Sequence, residues 1–211
     1  MVGKINTKVA MGLLAAALVT LPGVAAAQPF AALPNAAEPA ATVGDARPLP
    51  AWTEFCARYA EECAVDRSEP SSITLTPKLW AAITAVNKRV NATVTPMTDA
   101  DHWGIADRWD LPTDGIGDCE DFQLLKRKLL AEAGLPRRAM RMAVVIDEKN
   151  EGHAVLMVRT NRGDLVLDNK NDAVRPWFET GYAYVKRESQ DDVAWVSLGR
   201  AVSPTTTARS R

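Results

Sequence analysis

Large apolar positions recur at helical spacing through the first half of the chain and gather into short continuous runs through the second. Trp52, Phe55, Cys56 and Tyr59 fall on one helical stripe. In "TPKLWAAITAVNKRV" Thr76 is a cap, Pro77 takes the first helical position, and Leu79, Trp80, Ile83, Val86 and Val90 share a face. A third helix is predicted from Cys119 in "GIGDCEDFQLLKRKLLAEAGLP". Asp118 caps it, and Phe122, Leu125 and Leu129 face the core. Lys126, Arg127 and Lys128 lie toward its later turns, where cations complement the helix dipole, and Gly134 followed by Pro136 stops it. The period then changes. "RMAVVID", "HAVLMVR", "DLVLDN", "GYAYVKR" and "VAWVSL" are short runs rich in valine and aromatics, and "TNRGD" between the second and third is a hairpin signal. Helices followed by antiparallel strands predict an α+β domain, whereas a parallel sheet would need the two to alternate. No internal repeat is visible.

The ends of the chain read differently. Lys4 and Lys8 precede an apolar run from Val9 to Leu21, and Ala25, Ala26 and Ala27 follow it. That order predicts a signal peptide over residues 1–27, cleaved on export to the periplasm. A membrane anchor is the alternative, but the run is shorter than the roughly 20 residues a bilayer span needs. Residues 28–50, rich in alanine and proline, predict a flexible leader, and residues 201–211 a disordered tail, so the folded domain is expected over 51–200. Losing Lys4 and Lys8 takes the formal charge from −1 to −3. A near-neutral chain without a basic run excludes nucleic acid as an expected partner, and no later segment is apolar enough for membrane insertion.

Three cysteines in an exported chain leave one over if two pair. Seven residues along a straight helix rise about 10.5 Å, beyond disulfide reach, so a Cys56–Cys63 bond requires a helix end between them. Two buried thiols on one apolar face are the alternative. Cys119 stands alone at a helix start, where unpaired N–H groups and the dipole favour a thiolate. Of the two histidines, His153 opens a strand in "NEGHAVLMV" and is the candidate base, with Nε2 accepting from the thiol and a third group holding Nδ1. Asp168, Asn169, Asn171 and Asp172 in "DLVLDNKND" are candidates for that group. His102, in "DADHWGIADRW", reads as a surface or interdomain residue.

A cysteine opening a helix in "GDCEDF", a "GHAVL" strand, and Asp168 in "LVLDN" fifteen residues after His153 together resemble the bacterial transglutaminase-like cysteine proteinases, and more narrowly the LapG-type periplasmic proteases. The likeness extends to "WTEFCARY" and "WGIADRW". It implies a papain-like, transglutaminase-like core in which an N-terminal helical lobe packs on a C-terminal antiparallel sheet. It also implies Cys119 as nucleophile, His153 as base and then acid, and Asp168 as orienter. The implied substrate is a large surface adhesin of the biofilm type, cut near its N-terminus beside an Ala-Ala pair. The implied inhibitory partner is an inner-membrane receptor for cyclic di-GMP. The same core supports two other readings, a transglutaminase or amidase transferring acyl groups on another periplasmic protein, and a non-catalytic binding module.

Two points in the residues stand against that assignment or need explaining. A regular hairpin about "TNRGD" puts His153 opposite residue 171 or 172, which displaces Asp168 by three or four residues, about 10 to 14 Å, and makes Asp172 the reserve orienter. Asp118 and Glu120 flank the thiol and would raise its pKa by like-charge repulsion. A Ca2+ ion bound by both would neutralise them, and LapG-type enzymes are calcium-dependent; Asp121 and Asp114 are possible further ligands. Plain capping of the helix is the alternative. The backbone N–H of Cys119 is the natural first oxyanion donor, with Trp103 and Trp109 as candidates for a second.

Overall fold

The computed structural model describes residues 1, 3, 32–199, 201, 204 and 207. The expected signal peptide therefore lies almost wholly outside the described residues. In chain order the elements are β1 (Gly44–Ala46), α1 (Pro50–Arg58), α2 (Ala60–Cys63), α3 (Pro77–Thr93), β2 (Thr95–Pro96), α4 (Asp99–His102), β3 (Ile116–Gly117) and α5 (Cys119–Glu132). Then come β4 (Met140–Ile146), β5 (Gly152–Thr160), β6 (Gly163–Asp168), β7 (Asn171–Pro176), β8 (Ala183–Glu188) and β9 (Trp195–Ser197). Seven strands form one sheet in the order β1-β9-β8-β4-β5-β6-β7, antiparallel at every pairing. The fold is α+β, with helices from the first half of the chain packed on a sheet from the second.

The principal core lies between the helices and one sheet face. It joins Trp52 and Phe55 of α1, Ile83 of α3 and Leu124 and Leu130 of α5 to Met142, Val144, Leu156, Val158, Leu165 and Leu167 of the sheet. A separate apolar contact, Val90 and Val94 against Phe122, ties α3 to the other side of α5. The helix that begins at Cys119 is thus enclosed on two sides. Lys126 and Arg127, expected toward its later turns, are fully buried. Arg127 donates to Glu188 Oε2 at 2.6 Å and to the Glu62 carbonyl at 2.9 Å. The Lys126 ammonium has no hydrogen-bond partner among the described residues, and burial draws its pKa down to about 7.

Residues 32–50 differ from the flexible leader expected of their composition. Ala40 is buried against Val145, Val155 and Met157 on the sheet face away from the helices, and β1 pairs with β9. A sheet with both faces apolar has to be covered on both, and this segment supplies part of the second cover.

Cys56 and Cys63 are bonded, with their Cα atoms 5.6 Å apart. The helix ends at Tyr59, whose φ of −131° and ψ of 64° break the spiral between α1 and α2. Cys119 is the free thiol.

Candidate active site

Gly117 closes the turn ahead of α5. A Cβ there would stand 2.7 Å from Asp121 Cβ, so only glycine lets the Asp121 side chain fold back on the helix start. Asp121 then accepts from the Asp118 N–H at 3.3 Å and the Asp110 N–H at 2.8 Å. These bonds fix the first turn and set Cys119, 6 % exposed, at its mouth.

His153 is placed by β5, opposite Val145 of β4. Its sequence neighbour Ala154 directs a backbone N–H at the Cys119 sulfur, a contact that favours the ionised thiol. The sulfur therefore lies against the peptide that joins His153 to Ala154. Cys119, His153, Asn169, Lys170 and Thr207 line one cavity of about 140 Å³.

Asp168 Oδ1 is 2.9 Å from His153 Nε2. The bonded nitrogen is thus the reverse of the one expected. The gap expected between His153 and Asp168 also shrinks. β5 and β6 join through a two-residue turn with Thr160 paired to Gly163, whose φ is +91°. Continued to His153, that register puts position 170 opposite the imidazole, two residues past Asp168, about 7 Å along the strand and within diagonal side-chain reach. Asp172 instead accepts from Asn91 Nδ2 at 3.0 Å. Asp168 also accepts from the Lys170 N–H at 2.9 Å and the Tyr182 hydroxyl at 2.6 Å. Burial alone would raise its carboxyl, but His153, Tyr182 and the Lys170 N–H outweigh it and hold the pKa at about 2. The Tyr182 ring meets the imidazole edge-on, centroids 5.7 Å apart. Lys170 and Asp147 pair at 2.5 Å and join the turns on either side of the cavity.

On the helix side of the thiol the nearest charges are negative. Cys119 Sγ donates to Glu120 Oε2 at 3.1 Å. Burial first, then Glu120 and Asp118, push its pKa well up. Five carboxylates crowd the region. Ligand atoms of Asp99, Asp118 and Asp121 lie within 4.8 Å of one another, as do those of Asp99, Asp107 and Glu120. Burial raises every one of them, Asp107 to about 6, Asp99 to about 7 and Asp121 to about 9. Asp107 Oδ2, Asp118 Oδ1 and Glu120 Oε1 are buried without a hydrogen-bond partner among the described residues. Unpaired buried oxygens of one sign are the donor set of a hard cation, so the residues fit such an ion. Asp99 and Asp107 are additions to the expected ligands. Their signal lies in "DADHWGIAD", a stretch whose pattern alone suggests surface. Asp114 does not join the group and instead meets His102 Nε2 at 3.0 Å. Neither Trp103 nor Trp109 lines the cavity, and Trp109 is fully buried in the core. Thr207, within the expected disordered tail, is 1 % exposed against Cys119.

A thiol at a helix start, over an antiparallel sheet that carries an imidazole–carboxylate pair, defines the class of papain-like cysteine hydrolases. Residues 43–202 match the family of bacterial transglutaminase-like cysteine proteinases (BTLCP), and the chain belongs to that family of cysteine peptidases. Three structures of LapG from Legionella pneumophila are similar. One has 26 % identity over 51 % of this chain and 63 % of that one, with a TM-score of 0.44. The EGTA-treated form has 27 % identity over 51 % and 61 %, TM-score 0.45, and the calcium-bound form 21 % over 62 % and 82 %, TM-score 0.46. This chain spans about three fifths of the length of the first two. Comparison with curated protein sequences gives no match.

Proposed function

We propose that this chain is a periplasmic, calcium-dependent cysteine endopeptidase that cleaves a large surface adhesin near its N-terminus, beside an Ala-Ala pair, and so releases it from the biofilm. Its inhibitory partner in this reading is an inner-membrane receptor for cyclic di-GMP. The observation that carries the chemistry is the 2.9 Å bond between His153 and Asp168, beside a cavity the imidazole shares with Cys119. Export is supported by the Cys56–Cys63 bond, since disulfides persist in oxidising compartments. Among the described residues no helix is long and apolar enough to cross a membrane.

Asp168 receives the His153 Nε2–H and so keeps Nδ1 free as the base. Nδ1 takes the thiol proton as sulfur attacks the peptide carbonyl carbon, and the C=O electron pair moves to oxygen. The Cys119 N–H, at the start of α5 and without a helical acceptor, donates to that oxyanion. Collapse breaks the C–N bond. The leaving amine takes the proton from His153, and a thioester remains on Cys119. His153 then accepts a proton from water as the water attacks, and returns it to the departing thiolate. A calcium ion held by Asp118 and Glu120, with Asp99, Asp107 and Asp121 as further oxygen donors, supplies positive charge that offsets the carboxylates around the thiol.

The test is cleavage of an adhesin N-terminal fragment, read by N-terminal sequencing of the products. Cys119→Ala should give no cleavage while melting like the wild type, and EGTA should stop the wild type until calcium is restored. Full activity of Cys119→Ala would end the mechanism, and indifference to EGTA would reduce the acidic group to helix caps.

A further inference from the structure

Thr207 touches the nucleophile and the acidic group at once. Its carbonyl oxygen stands 3.4 Å from Cys119 Sγ, and its hydroxyl reaches Glu120 Oε2 at 2.7 Å and Asp107 Oδ1 at 3.1 Å. A substrate must bring its own carbonyl carbon to roughly 3 to 3.5 Å from the sulfur. With Thr207 in place that position is filled by a carbonyl of the same chain, and the thiol is buried. The hydroxyl meanwhile engages Glu120 and Asp107, two members of one of the carboxylate groups able to hold a cation.

We propose that Thr207 is an internal ligand of the catalytic cleft, which competes with substrate at Cys119 and with a hard cation at Glu120 and Asp107. Two ligands that cannot share one set of oxygens disfavour each other reciprocally. Cation binding therefore loosens Thr207 and opens the thiol, and loss of the Thr207 contacts strengthens cation binding. The blocking role rests on geometry alone. The cation half rests on the calcium reading above.

Because Cys56 and Cys63 are bonded, iodoacetamide reports on Cys119 alone. Alkylation is timed in EGTA for the wild type, for Thr207→Val, which keeps the volume without the hydroxyl, and for Thr207→Trp, which is too large for the buried position. Thermal melts check that both variants fold. Both should alkylate faster, by about tenfold, as expected for loss of a hydrogen bond to a charged group. Calorimetric titration with calcium chloride should show tighter binding to both variants. Alkylation of both variants within about twofold of the wild type, the scatter of an ordinary surface substitution, overturns the blocking role. Faster alkylation with unchanged calcium affinity overturns the competition and upholds the block. Faster alkylation in a protein that binds no calcium overturns the calcium reading and upholds the block.

Discussion

Asp168 takes three hydrogen bonds, from His153, Tyr182 and the Lys170 N–H, and its low pKa follows from them. The carboxyl falls from 3.8 to about 2 on folding. A depressed folded pKa stabilises fully above the unfolded value and is lost as pH falls through the folded one. The linked stability is on the order of 2 kcal/mol. Asp168→Ala should therefore unfold more easily than the wild type at neutral pH, and the titrating part of that difference should vanish between about pH 4 and pH 2 in urea melts. The same change should lower kcat by on the order of 10²- to 10⁴-fold, because the imidazole loses the group that fixes its tautomer. A variant with wild-type kcat would mean that Asp168 does not orient the base. Cys119, His153 and Asp168 are legible in the sequence because each sits in a short local pattern. Tyr182 is not, since it comes to Asp168 from just ahead of β8. Which imidazole nitrogen meets Asp168 is likewise illegible, because ring orientation depends on strand geometry that residue spacing does not record.

The start of α5 depends on a single missing methyl group. Gly117→Ala would put a carbon 2.7 Å from both Asp121 Cβ and Asp121 Oδ2, and Cβ is not a flexible end that can swing away. The first turn must shift, at a cost of about 1 to 3 kcal/mol, as for other overpacked sites. The expected result is a lower melting temperature and weaker calcium binding by calorimetry, and an unchanged affinity would separate Asp121 from the ion. Cap and stop residues mark α3 and α5 correctly, since such signals act within one turn. The burial of Lys126 and Arg127 has no such mark, because a helix pattern does not say how many neighbours enclose it. β7 is hidden for the opposite reason. "NDAVRP" is polar and ends in proline, as suits the sheet edge where it lies. The strand runs themselves are plain, but one or two residues of turn length decide whether Asp168 or Asp172 reaches the histidine.

At the scale of the molecule, the site draws on four separate stretches. α4 and the loop after it supply Asp99 and Asp107, α5 the thiol, β5 the imidazole and β6 the carboxylate bonded to it. Antiparallel pairing of β5 with β4 and β6, under a helix that packs on β5, is what brings the last three together. Asp99 and Asp107 join only because the folded chain returns to the helix start, which explains why the sequence points to Asp118, Glu120 and Asp121 but not to these two. In the mechanism proposed above this assembly serves one chemical end, a thioester on Cys119. Its most direct test is intact-mass spectrometry after rapid acid quench of enzyme mixed with an adhesin N-terminal fragment. The expected result is a transient adduct that adds the mass of the N-terminal product less one water, mapped to the peptide containing Cys119 and absent from Cys119→Ala. Turnover of the fragment with no adduct, and with Cys119→Ala cleaving at the wild-type rate, would contradict the thioester mechanism.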